Sequence, residues 1–281
     1  MYLGHFGLTE LPFSITPDTQ FVYSAGSHQE ALNTLLLAVR GGEGFVKITG
    51  EVGTGKTLLC RRFLATLGDE CVAAYIPNPQ FDARGLLLEV AEEIGANGGG
   101  DDDNVHIVKR INRRLLEIAD QGKTAVLCID EAQTTPIQTL ETLRLISNLE
   151  TEKRKLIQIV LFGQPELDRR LEEPSVRQLR QRIVFHYRMP GLKRSEIGAY
   201  VEHRLRVAGY HGGRLFSAFA RSALYRHSGG MPRLVNILAH KAMLAAYGEG
   251  SDEVCRRHVR AAARDTEGAR HAGWLLRGGF A

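Results

Sequence analysis

The chain has 281 residues, of which 43% are hydrophobic and 24% charged, with a formal net charge of +4 and a pI near 8.9. This composition is typical of a globular protein with a full α/β core and a smaller second domain. No apolar run is long enough to span a bilayer, no signal-peptide pattern is present, and the four cysteines form no C-x-x-C pair. We therefore expect a cytoplasmic protein with reduced thiols.

The first 190 residues alternate between strand-like and helix-like patterns, after an irregular, proline-containing segment over 1–27. Apolar runs predict five strands, at 45–49, 71–76, 124–129, 156–162 and 183–187. One of the helical patterns places Val108, Ile111, Leu115 and Ile118 on one face. Because the strands are nearly continuously apolar and alternate with helices, they predict an α/β fold whose parallel sheet is covered on both faces.

After residue 190 the pattern changes to helices only, which predicts a second domain. Four helices are expected, at 192–208, 215–227, 232–247 and 252–265. We divide the chain into a core over 1–190, which includes the N-terminal segment, a small all-helical domain over 191–267, and a short tail over 268–281.

Residues 50–57 match the whole phosphate-binding pattern G-x-x-x-x-G-K-[ST]. The residues expected at the nucleotide are Gly50, Glu51, Val52, Gly53, Thr54, Gly55, Lys56, Thr57 and Leu58. A strand-like run precedes this loop and a helical pattern follows it, so backbone N–H groups and a helix N-terminus would face the phosphates of ATP. Lys56 would bind phosphate oxygens, and Thr57 would bind Mg²⁺.

The third predicted strand ends in two acids, Asp130 and Glu131. Together with the loop they supply what ATP hydrolysis needs, since Asp130 and Thr57 can hold Mg²⁺ and Glu131 can polarise a water molecule. A site that binds nucleotide without hydrolysing it is the alternative. The presence of Glu131 argues against it, because that carboxylate is the group able to accept a proton from water.

A phosphate loop, an Asp-Glu strand, a further strand before an arginine cluster and a helical C-terminal region form the layout of AAA+ ATPases. Further motifs resemble the ExeA/GspA-type secretion ATPases, over residues 1 to about 265. They include Phe6-Gly7-Leu8, Pro12-Phe13, Thr16-Pro17-Asp18, Asp130-Glu131-Ala132-Gln133 and Gly163-Gln164-Pro165-Glu166-Leu167. Within that family the chain looks closest to the MshM-type ATPases of mannose-sensitive haemagglutinin (MSHA) pilus biogenesis. The resemblance implies a P-loop AAA+ αβα sandwich with a five-stranded parallel sheet, followed by a helical lid.

The resemblance also implies roles for two residues that follow predicted strands. Gln164 would be sensor 1, which reaches the γ-phosphate and the attacking water; a turn glutamine before Pro165 is the alternative. Asn78 would hold Glu131 away from water until a partner binds, or would serve only in a turn between two prolines.

Three arginines receive roles from the same resemblance. Arg182, slightly favoured over Arg180, would be an arginine finger inserted into the neighbouring subunit's site, because guanidinium is permanently charged and forked. Surface salt bridges are the alternative. Arg233 follows two glycines and Pro232, and would be sensor 2 of the lid, with a helix-capping turn as the alternative.

The function implied is ATP hydrolysis coupled to assembly or remodelling of an inner-membrane type IV pilus (MSHA-like) or type II secretion apparatus. The partners implied are further copies of the chain, in an ATP-dependent homo-oligomer, and an inner-membrane assembly protein that brings the chain to the membrane periphery. A DNA-associated AAA+ regulator of the transposition-targeting type is one alternative. Nucleic acid is the less favoured partner, since no aromatic-interleaved basic patch is visible. A nucleotide-gated scaffold with slow hydrolysis is another alternative.

Overall fold

The computed structural model describes residues 2–15, 19–21, 23, 26–96, 98, 103–151 and 154–270. The motif residues 16–18 and most of the predicted tail, residues 271–281, lie outside this part. The chain divides into two compact units. The α/β unit comprises Gly26–Glu51 and Lys56–Met189. The helical unit falls in Met1–Ala25, Val52–Gly55 and Pro190–Ala281, so it includes the tip of the phosphate loop.

The α/β unit is built on a five-stranded parallel sheet. Its strands are β1 (Phe45–Gly50), β2 (Cys71–Ile76), β3 (Thr124–Ile129), β4 (Ile157–Gly163) and β5 (Ile183–Met189). They lie in the order β2-β3-β4-β1-β5. The register pairs Val46 with Val160 and Ile129 with Leu161, so the strands that precede the loop and the acid pair flank β4. The predicted sheet is confirmed, with the fourth strand between the loop strand and the Asp-Glu strand.

Burial along the strands follows their place in the sheet. All seven residues of β4 are buried, whereas exposure alternates along β5 at one edge. A strand covered on both faces needs apolar residues throughout, and an edge strand with one free face does not. The apolar runs of β3 and β4 were therefore the clearest strand signals, and the mixed sequence of β5 was the weakest.

Twelve α-helices are found in the described residues. They are α1 (Leu3–Phe6), α2 (Gly26–Arg40), α3 (Lys56–Thr66), α4 (Ala83–Glu93), α5 (Asn104–Asp120), α6 (Ile137–Ile146), α7 (Pro165–Leu171), α8 (Arg177–Gln181), α9 (Glu196–Val207), α10 (Ala218–Ser228), α11 (Pro232–Gly248) and α12 (Arg256–Arg264). Helices α2 and α3 cover one sheet face, and α4, α5 and α6 cover the other. In α5 the buried stripe starts at Ile107, and Val108, predicted to belong to it, is only half-buried.

The N-terminal segment packs in the helical unit, which differs from the expected core over 1–190. Phe6, Phe13 and Phe21 are buried in one cluster with the apolar side chains of α9–α12. The buried Arg204 fixes the segment, because its Nε donates a hydrogen bond to the Pro12 carbonyl at 2.5 Å and its guanidinium lies 4.7 Å from the Phe21 ring centroid. Four short helices leave apolar surface that these aromatic side chains fill.

Three helices of this unit, α9, α10 and α12, start three or four residues later than their sequence pattern predicts. Helix α9 starts at Glu196, whose carboxylate accepts a hydrogen bond from the Lys193 N–H at 2.7 Å. Before α12, which starts at Arg256, Val254 forms a parallel bridge with Phe216, so residues 252–254 lie outside the helix. In the part of the chain that the structure describes, no helix is both long and apolar enough to cross a membrane.

Candidate nucleotide-binding site

The phosphate loop has the backbone shape that its glycines were expected to allow. Strand β1 ends at Gly50 and α3 begins at Lys56, so the loop joins a strand to a helix N-terminus as predicted. Gly53 and Gly55 have φ values of 81° and 92°, in the left-handed region that favours glycine. Thr54 is buried, Leu58 lies half-buried in the first turn of α3, and Glu51 and Val52 are exposed.

Lys56 is held by the loop that it follows. Its ammonium group donates hydrogen bonds to the carbonyl oxygens of Gly50 and Glu51, at 2.7 and 3.1 Å, and the residue is only 5% exposed. Burial lowers the pKa of Lys56, and the negative charges of Glu131 and Asp130 oppose that shift. An ammonium group carries three N–H donors, so one that uses two of them on these carbonyls can offer the third to an anion such as a phosphate.

Asp130 and Thr57 form a donor set of the kind that Mg²⁺ requires. Asp130 is 2% exposed, and burial raises the pKa of its carboxyl group against the opposing hydrogen bond from the Thr57 hydroxyl. The Glu131 N–H donates to Asp130 Oδ1 at 2.9 Å, which orients the carboxylate. A buried carboxylate beside a hydroxyl fits a hard cation, since the cation would offset the charge that burial disfavours.

Glu131 has a strained backbone and a tightly held side chain. Its φ of 50° is the one positive value at a non-glycine residue in the described chain, and such strain is typical of functional sites. Glu131 Oε2 accepts two amide hydrogen bonds, from Gln133 Nε2 at 2.5 Å and from Gln164 Nε2 at 3.1 Å. Gln164, which directly follows β4, thus lies beside Glu131 at the carboxyl ends of β3 and β4.

Gln133 is a site residue that the sequence reasoning did not assign. Besides donating to Glu131, its Oε1 accepts a hydrogen bond from the Gln164 N–H at 3.0 Å. Its own carbonyl accepts a hydrogen bond from Arg170. Gln133 therefore fixes both Glu131 and Gln164, and the signal for it was a polar residue two positions after the acid pair.

Asn78 lies near Glu131 but is joined to it only indirectly. Its Oδ1 accepts a hydrogen bond from the Thr134 hydroxyl at 3.3 Å, and the same hydroxyl donates to the Glu131 carbonyl oxygen at 2.9 Å. The structure thus connects Asn78 to the backbone of Glu131 through Thr134, while the carboxylate of Glu131 is held by the two glutamines.

Arg233 is in contact with the tip of the phosphate loop, and both belong to the helical unit. Its N–H donates to the Gly53 carbonyl at 3.4 Å, and a Cβ at Gly53 would lie 2.3 Å from the Arg233 Cβ. The preceding Gly229 and Gly230 have φ values of 61° and 81°, and α11 starts at Pro232. The glycine pair and the proline thus place Arg233 at a helix N-terminus, as their order suggested.

The comparisons with known proteins agree with this geometry. Residues 39–171 match the family model described as AAA domain. The chain is 41% identical over 273 residues to "General secretion pathway protein A" of Aeromonas hydrophila, a match that covers 97% of the chain and 50% of that protein. The chain therefore spans about half the length of this curated relative. The match supports the resemblance to secretion ATPases that the sequence motifs indicate.

Solved structures share the fold at low sequence identity. The ORC2 protein of Aeropyrum pernix, described as ADPNP-ADP complexes, gives a TM-score of 0.63 at 16% identity and covers 93% of this chain and 74% of that one. Cdc6p of Pyrobaculum aerophilum gives a TM-score of 0.64 at 17% identity, and the match covers 89% of this chain and 71% of that one. The fold is the AAA fold, in which the phosphate loop joins β1 to α3 and the acid pair follows β3.

The two arginine-finger candidates, Arg180 and Arg182, differ in their surroundings. Arg182 is half-buried, and its Nη1 donates a hydrogen bond at 3.0 Å to the hydroxyl of Ser147, a buried residue. Arg180, in the last turn of α8, is exposed, and its side chain makes no hydrogen bond or ion pair with any residue that the structure describes. Of the two, Arg180 has the guanidinium group free to bind another molecule.

Proposed function

We propose that the chain is an ATP hydrolase of the ExeA/GspA type that drives assembly or remodelling of an inner-membrane type IV pilus, MSHA-like, or type II secretion apparatus. The observation that carries the hydrolase assignment is the cluster at the ends of β3 and β4, in which Glu131 is held by Gln133 and Gln164 beside the buried Asp130. The relation to a general secretion pathway protein supports the biological setting.

The proposed binding step uses the phosphate loop and the buried pair of charges. Backbone N–H groups of residues 50–58 and the Lys56 ammonium would hold the phosphates of ATP. Thr57 and Asp130 would hold Mg²⁺, which when bound supplies positive charge against the phosphate oxygens. Arg233, on the Gly53 carbonyl, would bind the γ-phosphate as sensor 2 and make the helical residues 191–267 respond to nucleotide.

The proposed chemical step uses Glu131 as a general base. Two amide hydrogen bonds to one carboxylate oxygen hold the side chain in place at the strand ends. The γ-phosphate would compete for the Gln164 amide, which would open a position on that oxygen for the water to be activated. Gln133 would remain as the positioning residue for both side chains. Asn78 would act on Glu131 only through Thr134.

The proposed active form is a homo-oligomer that brings an arginine to each site from a neighbouring copy. The sequence slightly favoured Arg182 for this role, but its hydrogen bond to Ser147 occupies it within its own chain. We therefore assign the finger to Arg180, whose exposed guanidinium is suited to phosphate oxygens of another subunit. In related chemistry an arginine supplied in trans raises the rate by about 10³–10⁵.

The proposed location is the cytoplasm, at the periphery of the inner membrane through a membrane-anchored assembly partner. The test is co-sedimentation of the chain with inner-membrane vesicles and, separately, with duplex DNA, in the presence of ATP and over a salt series. We expect recovery with membranes at moderate salt, since protein contacts have an apolar component, and weak DNA binding that falls steeply with salt. ATP-dependent assembly on DNA at the same salt, without membrane recovery, would reject the secretion role in favour of a DNA-associated one.

A further inference from the structure

The helical unit contains a cavity that none of the proposed nucleotide-site residues lines. It has a volume of about 250 Å³ and lies among the C-terminal half of α9, the loop that follows it and the start of α10. Pockets for small-molecule cofactors usually measure roughly 300–1,000 Å³. A smaller cavity is better suited to individual side chains of a bound peptide.

The floor of this cavity is apolar and firmly held. Val201, Leu205, Leu215 and Phe216 line it, and each is at most 3% exposed. The Val254 N–H donates to the Leu215 carbonyl at 2.8 Å, which pins the loop that carries two of these residues. A floor fixed in this way can receive an apolar side chain without first having to reorganise, and this lowers the cost of binding.

The rim of the cavity carries three arginines and a single carboxylate. Arg221 is paired with Glu202, at 3.4 Å. Arg206 and Arg214 are exposed, and their side chains have no hydrogen bond or ion pair with any other described residue. Each guanidinium offers a permanently charged fork of donors that fits a carboxylate, so the rim is suited to acidic side chains.

The charge of the chain is also divided unequally, and the cavity lies in the basic part. Residues 191–270 contain 14 Lys and Arg against 7 Asp and Glu, whereas residues 1–190 contain 21 against 25. A basic surface attracts acidic proteins and nucleic acids alike. The apolar floor distinguishes them, because a concave apolar surface adds contacts for a protein side chain that a phosphodiester backbone does not use.

We propose that this cavity binds an acidic peptide segment of a protein partner, with one apolar side chain on the floor and flanking carboxylates on Arg206 and Arg214. The inference rests on the proposed function in one respect, since the segment would belong to the assembly partner. Peptide binding needs no hydrolysis, so the two proposals can fail separately.

Isothermal titration calorimetry of the whole chain tests this with the synthetic peptide Asp-Glu-Leu-Asp-Phe-Glu-Asp. One comparison peptide has Ser in place of Leu and Phe, a second has Lys in place of the acids, and oligothymidylate is the nucleic-acid probe. We expect binding of the first peptide only. The double variant Arg206→Glu and Arg214→Glu should weaken it about tenfold or more, whereas Arg260→Glu, an exposed control outside the cavity, should not.

A second variant is designed to add bulk at the wall of the cavity without changing its charge. Gly213 lines the cavity, and a Cβ there would meet no atom within 4 Å, so Gly213→Phe can be accommodated at the backbone. It should abolish peptide binding and leave the melting temperature and ATP turnover unchanged. The inference would be overturned if Gly213→Phe bound the peptide as tightly as the wild type, or if Arg260→Glu weakened binding as much as the double variant. It would also be overturned if the Ser peptide bound as tightly as the first peptide, or if the chain preferred oligothymidylate. Normal ATP turnover in a wild-type chain that binds no peptide would overturn it alone and leave the hydrolase intact.

Discussion

Polar side chains are hydrogen-bonded within the chain at the carboxyl ends of β3 and β4, whereas an arginine around α8 is exposed and unpaired within the described chain. At the strand ends Asp130 is buried, and one oxygen of Glu131 accepts hydrogen bonds from two glutamines. Around α8, Arg180 is exposed and has no side-chain partner within the described chain. Both regions carry charges that the proposed mechanism needs, but only the first is internally satisfied.

The difference indicates which parts of the site are complete within one chain. A buried polar group must be hydrogen-bonded where it lies, because leaving it unsatisfied costs about 1–3 kcal/mol. An exposed guanidinium group is hydrated and needs no partner within the chain, so the fold does not determine which group it binds. The cluster at the ends of β3 and β4 is therefore complete within one subunit, while the proposed function of Arg180 depends on a second molecule.

The largest expected effect concerns the incomplete region. Arg180→Ala should lower ATP turnover about 10³-fold at saturating ATP and protein concentration, because it removes charge supplied in trans. Arg182→Ala should cost far less turnover, and should instead lower the melting temperature slightly through loss of the hydrogen bond to Ser147. Phosphate release and thermal melts of the two variants separate these outcomes.

Mixing variants extends this test to the second molecule. Arg180→Ala subunits mixed with Glu131→Gln subunits should regain some hydrolysis, since an intact site can then meet an intact finger. Full activity of Arg180→Ala by itself, or a larger loss for Arg182→Ala, would move the finger away from Arg180.

A smaller effect is expected within the complete region, at Gln133. Gln133→Ala should lower kcat about 10²-fold and leave the KM for ATP nearly unchanged, because a misplaced base slows chemistry without affecting phosphate binding. Gln133→Glu replaces the amide donor with a second carboxylate beside Glu131, and because like charges repel it should lower kcat at least as far as Gln133→Ala. An unchanged kcat in both variants would leave Gln133 with a purely structural role.

Arg233 combines a fixed backbone with an exposed side chain: its N–H donates to the Gly53 carbonyl, while its guanidinium group is open to solvent. Arg233→Ala should weaken ATP binding about tenfold more than ADP binding, because ADP lacks the γ-phosphate that the guanidinium would bind. Arg260→Ala serves as the matched control. Fluorescent-nucleotide titrations measure the ratio, and an identical ATP/ADP ratio in wild type and variant would reduce Arg233 to its place in the helix start.

The smallest effect is a stability change at Asp130. Burial raises the pKa of this carboxyl group, so its ionisation destabilises the fold as the pH rises through that raised pKa towards neutrality. Asp130→Asn removes the charge and should raise the melting temperature of the nucleotide-free protein by a few degrees at pH 7. The gain should disappear below about pH 4, where the wild-type carboxyl is protonated in both states. A lower melting temperature at pH 7 would show that the charge is net stabilising.

The contrast between buried, regular elements and isolated polar contacts also explains which features could be predicted from the sequence. The parallel sheet and the elements around residues 50–57 were predicted, because buried parallel strands need apolar runs and a phosphate loop needs glycines in fixed positions. The strand order β2-β3-β4-β1-β5 comes from the structure. The role of Gln133 was missed, since one polar residue in a turn has no periodic signal. The N-terminal segment was assigned to the wrong unit, because the contact of Arg204 with Pro12 joins residues 192 positions apart.

The central claim is that Glu131 activates water at a site where Lys56 holds the phosphates. Nucleotide affinity and phosphate release, measured on one preparation of Glu131→Gln, test it most directly, with Lys56→Ala as the binding-defective comparison. The account predicts that Glu131→Gln binds ATP as tightly as the wild type while phosphate release falls about 10²–10⁴-fold. Lys56→Ala should weaken ATP binding about tenfold or more, since it removes a charge-assisted contact that contributes about 1.5–3 kcal/mol. Phosphate release by Glu131→Gln at the wild-type rate would contradict the account.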